Sequence, residues 1–140
     1  MKFAILFASF LSSQAFLQEV DFWKTLADVR IETKTNNNLE MDVPKFGKQV
    51  SAINGKKIKL KGYLIPLSEF GGKNEYMLSA LPFSTCFFCG GAGPETVVEL
   101  QVKQSLKFTT DRIVLEGTLI LNPDDPDHHM YILKDVKLID

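Results

Sequence analysis

The chain is poor in the residues that most often carry chemistry. Its 140 residues include two cysteines, two histidines and one tryptophan. The histidines are adjacent, His128 and His129, so no Ser/His/Asp series can be drawn along the chain. The carboxylates are scattered, with no spacing that marks a general acid/base pair. No charge of one sign dominates: 16 basic residues stand against 17 acidic ones, and the formal net charge is −1. The basic residues are spread along the sequence, which argues against a nucleic-acid binder and against a polybasic membrane-surface domain. No internal repeat or low-complexity tract is present. The glycine-containing loop at residues 90–93 lacks the G-K-[ST] ending of a nucleotide-binding loop. These absences favour binding over catalysis and exclude nucleic acid from the expected partners.

What the sequence does hold is enough for one domain. Apolar residues make up 45% and charged residues 24%, a balance that supports a single compact core and not global disorder. The opening "MKFAILFASFLSSQA" has one Lys, an apolar run from Phe3 to Leu11, and a small-x-small ending at Ser13-Gln14-Ala15. These are the three parts of a signal peptide, residues 1–15, and the run is too short to span a bilayer. The mature protein is therefore expected to be exported, periplasmic or secreted, and to start at Phe16. Outside the cytoplasm, paired thiols tend to oxidise.

Residues 16–54 read as an N-terminal helical arm. Leu17, Val20, Trp23 and Leu26 recur on one face of a short helix. The simplest role of Phe22 and Trp23 is to dock that face on the rest of the domain. Val29, Ile31 and Thr33 alternate with charged residues, as in a strand or extended segment. "KTNNN" reads as a turn or loose loop, and one helical turn is expected around Phe46–Ala52, ending at Asn54-Gly55.

From residue 55 to residue 140 the pattern is β. "KKIKLKGYLIPL" places Ile58, Leu60, Gly62 and Leu64 on one face and Lys57, Lys59, Lys61 and Tyr63 on the other, with Gly62 suited to a bulge or bend. "YMLSAL", "TVVELQV", "RIVLEGTLILN" and "MYILKDVKLI" supply four further strands, and "KQSLKFTTD" a short turn or half-helix. Five evenly spaced strands, two with internal glycines, predict a mainly β fold: a small five-stranded barrel of the oligonucleotide/oligosaccharide-binding (OB) type with a short N-terminal helix. A β-sandwich would need more strands.

The stretches "NGKKIKLKGYLIPL", "CFFCGGAGPETVVEL" and "VLEGTLIL…MYILKDVKLI" together resemble a family of small exported bacterial OB-like domains, over about residues 55–139. The resemblance implies the fold and export. It implies no activity.

Cys86 and Cys89 flank two phenylalanines ahead of Gly90, Gly91 and Gly93. Three readings stand. The first is a local disulfide, which the compartment favours, although so short a loop gains only about 2 kcal/mol in the chain-entropy model. The second is half of a soft-metal site such as zinc, with His128 or His129 and one of Asp124, Asp125 or Asp127 completing it. In an up-and-down run of strands, the loops after the second and fourth barrel strands emerge at one end, which would bring these groups together. The third is thiol–disulfide exchange, for which no helix N-terminus follows to activate a thiol. The glycines suit a tight loop and could present amides to an anion. Phe83, Phe87 and Phe88 read as core or rim packing, or as a face for a protein partner. "NPDDPDHH" reads either as a solvated turn or as the helper loop of the cysteines.

Overall fold

The computed structural model describes residues 20–67, 76–87 and 90–140. Residues 1–19, which include the expected signal peptide and Leu17, the "EFGGKNE" segment, Phe88 and Cys89 lie outside the described residues. The first helix, α1 (Phe22–Leu26), starts at Asp21, whose carboxylate accepts the Trp23 N–H at 3.2 Å. Val20 precedes it and is exposed, so the helical face is shorter than its periodicity suggests. The docking role holds. Trp23 Nε1 donates to the Lys61 carbonyl at 2.9 Å, and the Tyr131 hydroxyl donates to the Leu26 carbonyl at 2.7 Å. Burial, with Glu95 and Asp28 nearby, raises the pKa of Tyr131 and keeps that hydroxyl a donor.

The arm is not only helical. Between α1 and α2 (Lys48–Ala52) stands a hairpin, β1 (Val29–Asn36) and β2 (Leu39–Phe46); a strand or extended segment at Val29–Thr33 and a turn or loose loop at "KTNNN" are what the sequence predicts, and the return strand β2 is what it does not. Asn37 and Asn38 both have positive φ, 49° and 64°, as a two-residue type I′ turn requires, and Asn tolerates that region. At the hairpin's base the Asp28 carbonyl accepts the Gly47 N–H at 2.8 Å. The Asp28 carboxylate accepts the Gln49 N–H at 2.8 Å and so caps α2.

The other five strands close into a barrel: β3 (Lys57–Pro66), β4 (Tyr76–Ser79), β5 (Val97–Gln101), β6 (Arg112–Leu121) and β7 (Tyr131–Leu138). The fold is thus mainly β, a closed five-stranded OB-like barrel with a short N-terminal helix. Around the barrel the order is β3-β4-β5-β7-β6, with β5 and β7 parallel and every other neighbour antiparallel. This corrects the simple up-and-down run, which would have paired β5 with β6. Strand direction still alternates along the chain, so the β4–β5 and β6–β7 loops leave the same end.

The period-2 pattern of β3 is realised: Ile58, Leu60, Gly62 and Leu64 are buried, and Lys57, Lys59 and Lys61 are exposed. Gly62 is not a bulge. A methyl there would collide with the Ser79 carbonyl on β4, so the glycine serves close strand approach. The register irregularity lies instead on β6 against β7, between Glu116 and Thr118, at Gly117. "KQSLKFTTD" forms no helix. The barrel interior is filled by Leu60, Leu64, Leu78, Val98, Leu115, Leu119 and Leu133 among others.

Candidate functional site

The site begins with the alternation of β5. Val98 and Leu100 point into the barrel, so Val97 and Glu99 point out. Each outward residue holds one loop.

Val97 lies under the cysteine loop. With Ile65 and Met77 from the outer faces of β3 and β4, it forms a second small apolar cluster, and Cys86 fills it, fully buried. A 3₁₀ turn, Phe83–Thr85, delivers Cys86 at its C-terminal end. Cys86 therefore packs as a small apolar side chain. Among the described residues it makes no disulfide. The glycines behind it shape the turn. Gly90 has φ 75° and donates to the Phe87 carbonyl at 2.9 Å, and the Gly91 N–H meets the Cys86 carbonyl at 3.2 Å. Those two amides are consumed by the loop's own turn and do not cradle an anion. Gly93 opens a 3₁₀ turn at Pro94–Thr96, where its carbonyl accepts the Thr96 hydroxyl at 2.7 Å.

Glu99 lies under the histidine loop. One carboxylate oxygen meets His128 Nδ1 at 2.8 Å, and the other accepts the His129 backbone N–H at 2.8 Å. This bidentate clamp was not found from the sequence. Its signal was the outward phase of Glu99, two residues after Val97. The loop's interior is organised by Asn122, whose side-chain amide donates to the carbonyls of Asp125, His128 and His129 at 2.8–3.2 Å. The Asp125 carboxylate accepts the Asp127 N–H at 3.0 Å. The turn-forming reading of "NPDDPDHH" thus describes Asn122 and Asp125.

The adjacent histidines meet opposite environments. His128 is exposed, and its pKa is raised, first by the hydrogen bond to Glu99 and then by that carboxylate's charge, with Asp125 and Asp127 adding to it. His129 is half-buried. Burial lowers its pKa, against the opposing pull of the Pro94 and Val97 backbone. Its Nε2 meets the Pro94 carbonyl at 2.9 Å, which fixes that nitrogen as the protonated donor.

The two loops therefore meet at one pole. The Phe87 and His129 rings are 6.4 Å apart, and the His129 and Tyr131 rings are also 6.4 Å apart. Of the four candidate metal ligands, Cys86, His128 and His129 are described and Cys89 is not. His129 Nε2 carries its hydrogen toward Pro94 and His128 meets Glu99 through Nδ1, so each contact uses one ring nitrogen, while Cys86 is buried under the loop. Among the described residues no three His, Cys, Asp or Glu side chains are grouped to hold a metal ion. Two shallow grooves flank the pole. One runs from Ile31 and Met41–Pro44 of the hairpin past Phe87 to the histidine loop. The other lies between Leu67, Met77, Glu99 and His128. No helix among the described residues is long and apolar enough to cross a membrane.

Comparison of the chain with protein-family models, with curated proteins and with solved structures finds no match.

Proposed function

We propose that this protein is an exported binding domain, without catalysis of its own, whose contact surface is the pole where the cysteine and histidine loops meet. The observation that carries this reading is the outer face of β5. Val97 seats Cys86, Glu99 clamps His128 and His129, and Phe87 stands beside His129 between two grooves. The ligand class favoured there is a protein partner. Phe83 and Phe87 are exposed at 53% and 36% on the same loop, which suits a protein contact better than a small solute. Zinc is disfavoured by the burial of the Cys86 thiol among Ile65, Met77 and Val97. Attack by Cys86 on an external disulfide is disfavoured because its thiol is packed among Ile65, Met77 and Val97.

Site-specific photo-cross-linking tests the pole. With a benzophenone amino acid at Phe87, a partner should be captured in the cells that make the protein. The same probe at Lys57, on the outer face of β3, should capture little. Capture from Lys57 alone would overturn the assignment. Uptake of one equivalent of zinc with loss of titratable thiol would replace the protein partner with a metal.

A further inference from the structure

The hairpin turns the pole into a more specific device. In a two-residue hairpin the residues flanking the turn, Asn36 and Leu39, form a hydrogen-bonded pair, and the pairs alternate from there. Lys34–Met41 and Glu32–Val43 are then hydrogen-bonded. Thr35–Glu40, Thr33–Asp42 and Ile31–Pro44 are not, and their backbone groups point outward. The Thr33 hydroxyl donates to the Asp42 carboxylate at 2.8 Å, as the closer spacing of a non-hydrogen-bonded pair allows. Pro44 sits at an outward position, where its missing N–H costs the ladder nothing. Among the described residues β2 has β1 as its one strand neighbour, so the outer edge of β2 is open. That edge faces the groove. Four consecutive residues, Met41 to Pro44, line it, and successive strand side chains take opposite faces, so the groove takes in the edge of β2 as well as the face that Pro44 shares with Ile31.

Carboxylates dominate the charge of the groove. Apolar Ile31, Met41, Val43 and Phe87 alternate with the carboxylates of Asp42, Asp124 and Asp125, and no Lys or Arg is among its lining residues. Lys57, Lys59 and Lys61 are on the outer face of β3, and Arg30, Lys34 and Lys45 are on the hairpin but not in the lining; of the lining's basic groups, His128 is held against the Glu99 carboxylate.

We infer that this groove takes an extended segment of a partner protein as a third strand on β2, and that the segment carries Lys or Arg among apolar residues. Open N–H and C=O groups of Glu40 and Asp42 would hold its backbone. Apolar residues would fill the floor, and the aspartates would select cationic side chains. The inference rests on the pole being the binding surface and adds the partner's conformation and charge.

Fluorescence anisotropy with the mature protein and two labelled synthetic peptides tests it. One peptide alternates Lys and Val, and the other alternates Glu and Val. The Lys–Val peptide should bind roughly tenfold tighter than the Glu–Val peptide at low salt, with the gap closing as salt rises. Asp42→Pro, which removes an outward N–H and a charge, should weaken it by about tenfold, and Asp124→Lys should weaken it less. Methylating alternate backbone nitrogens of the Lys–Val peptide should abolish binding, a control that leaves the protein untouched. Equal affinity for the two peptides, or full affinity of the methylated one, overturns the inference. So does a concentration-dependent dimer that Asp42→Pro dissolves, which would assign the edge to a second copy. If Phe87 cross-links a partner while both peptides fail, the binding pole stands and strand addition falls.

Discussion

The barrel and the hairpin are both made of antiparallel strands, and they spend their apolar residues in opposite ways. Along β3 every second residue from Ile58 to Leu64 is buried. Along β1 and β2 no residue is fully buried, and Ile31, Leu39 and Met41 are exposed at 45%, 68% and 44%. Closure explains the barrel: a closed sheet has no edge and encloses its own core. The hairpin has two edges, and it is at its base that Val29 and Phe46 pack against the barrel core. A two-stranded sheet is marginal by itself, so this one is held by its base, through Asp28 and Gly47, and by the dock of α1. Its ion pair, Lys45 Nζ to Glu32 at 3.2 Å, is between exposed groups and adds little. The apolar residues of the barrel maintain the fold, while those of the hairpin are available for a contact.

The largest effects should separate the two regions. Leu78→Ala, at a fully buried position of β4, should cost about 2–5 kcal/mol in denaturant unfolding. Ile31→Ser and Leu39→Ser should each stay within about 0.5 kcal/mol. A hairpin loss as large as the barrel loss would show that the hairpin belongs to the cooperative core, and the contrast would fail. Gly62→Ala comes next. Its methyl meets the Ser79 carbonyl and the Leu78 side chain, so about 1–3 kcal/mol should be lost. Unchanged stability would show that β3 and β4 can part without cost. Asp28→Ala is smaller, about 1 kcal/mol, from loss of the cap on Gln49. Hydrogen exchange should then speed up in residues 29–46 while the barrel stays protected.

The barrel was legible in the sequence because its alternation is strict and its core positions are aliphatic. The five strand segments fall where "KKIKLKGYLIPL" and its successors placed them. The hairpin was hidden for a physical reason. With no buried face, β2 reads "LEMDVPKF", and its Pro44 argues against a strand unless the edge position is known. The Asn37-Asn38 signal allows a turn or a loose loop, and without a recognised return strand it does not announce a hairpin. At the site, the meeting of the cysteine and histidine loops followed from alternating strand direction, even though the pairing order differed. The roles inside the loops did not follow. Whether Cys86 faces solvent or Val97 depends on the outer face of three strands at once. Cys89 lies outside the described residues, so the pairing of the two thiols stays an expectation set by compartment.

The gentlest way to sharpen the comparison is by pH, because the two histidines join the histidine loop to the barrel with opposite signs. His128 has a raised pKa, chiefly from its hydrogen bond to Glu99. Its contribution to stability is present in full below the unfolded value of 6.5 and is lost as pH rises through the higher folded value. His129 has a lowered pKa because it is buried. Its contribution is present in full above 6.5 and is lost as pH falls through the lower folded value. Between these two values the loop should hold a charged His128 against Glu99 and a neutral His129 donating to Pro94. A ring-proton NMR titration should show one midpoint above 6.5 and one below. Glu99→Gln should bring the upper midpoint down toward 6.5, since both leading causes of that shift are removed. The lower midpoint should fall slightly further, because Glu99 also favours the charged form of His129. Midpoints that coincide in the native protein, or that stay in place in the variant, would show that Glu99 does not clamp the loop. The pole would then be as loosely held as the tip of the hairpin.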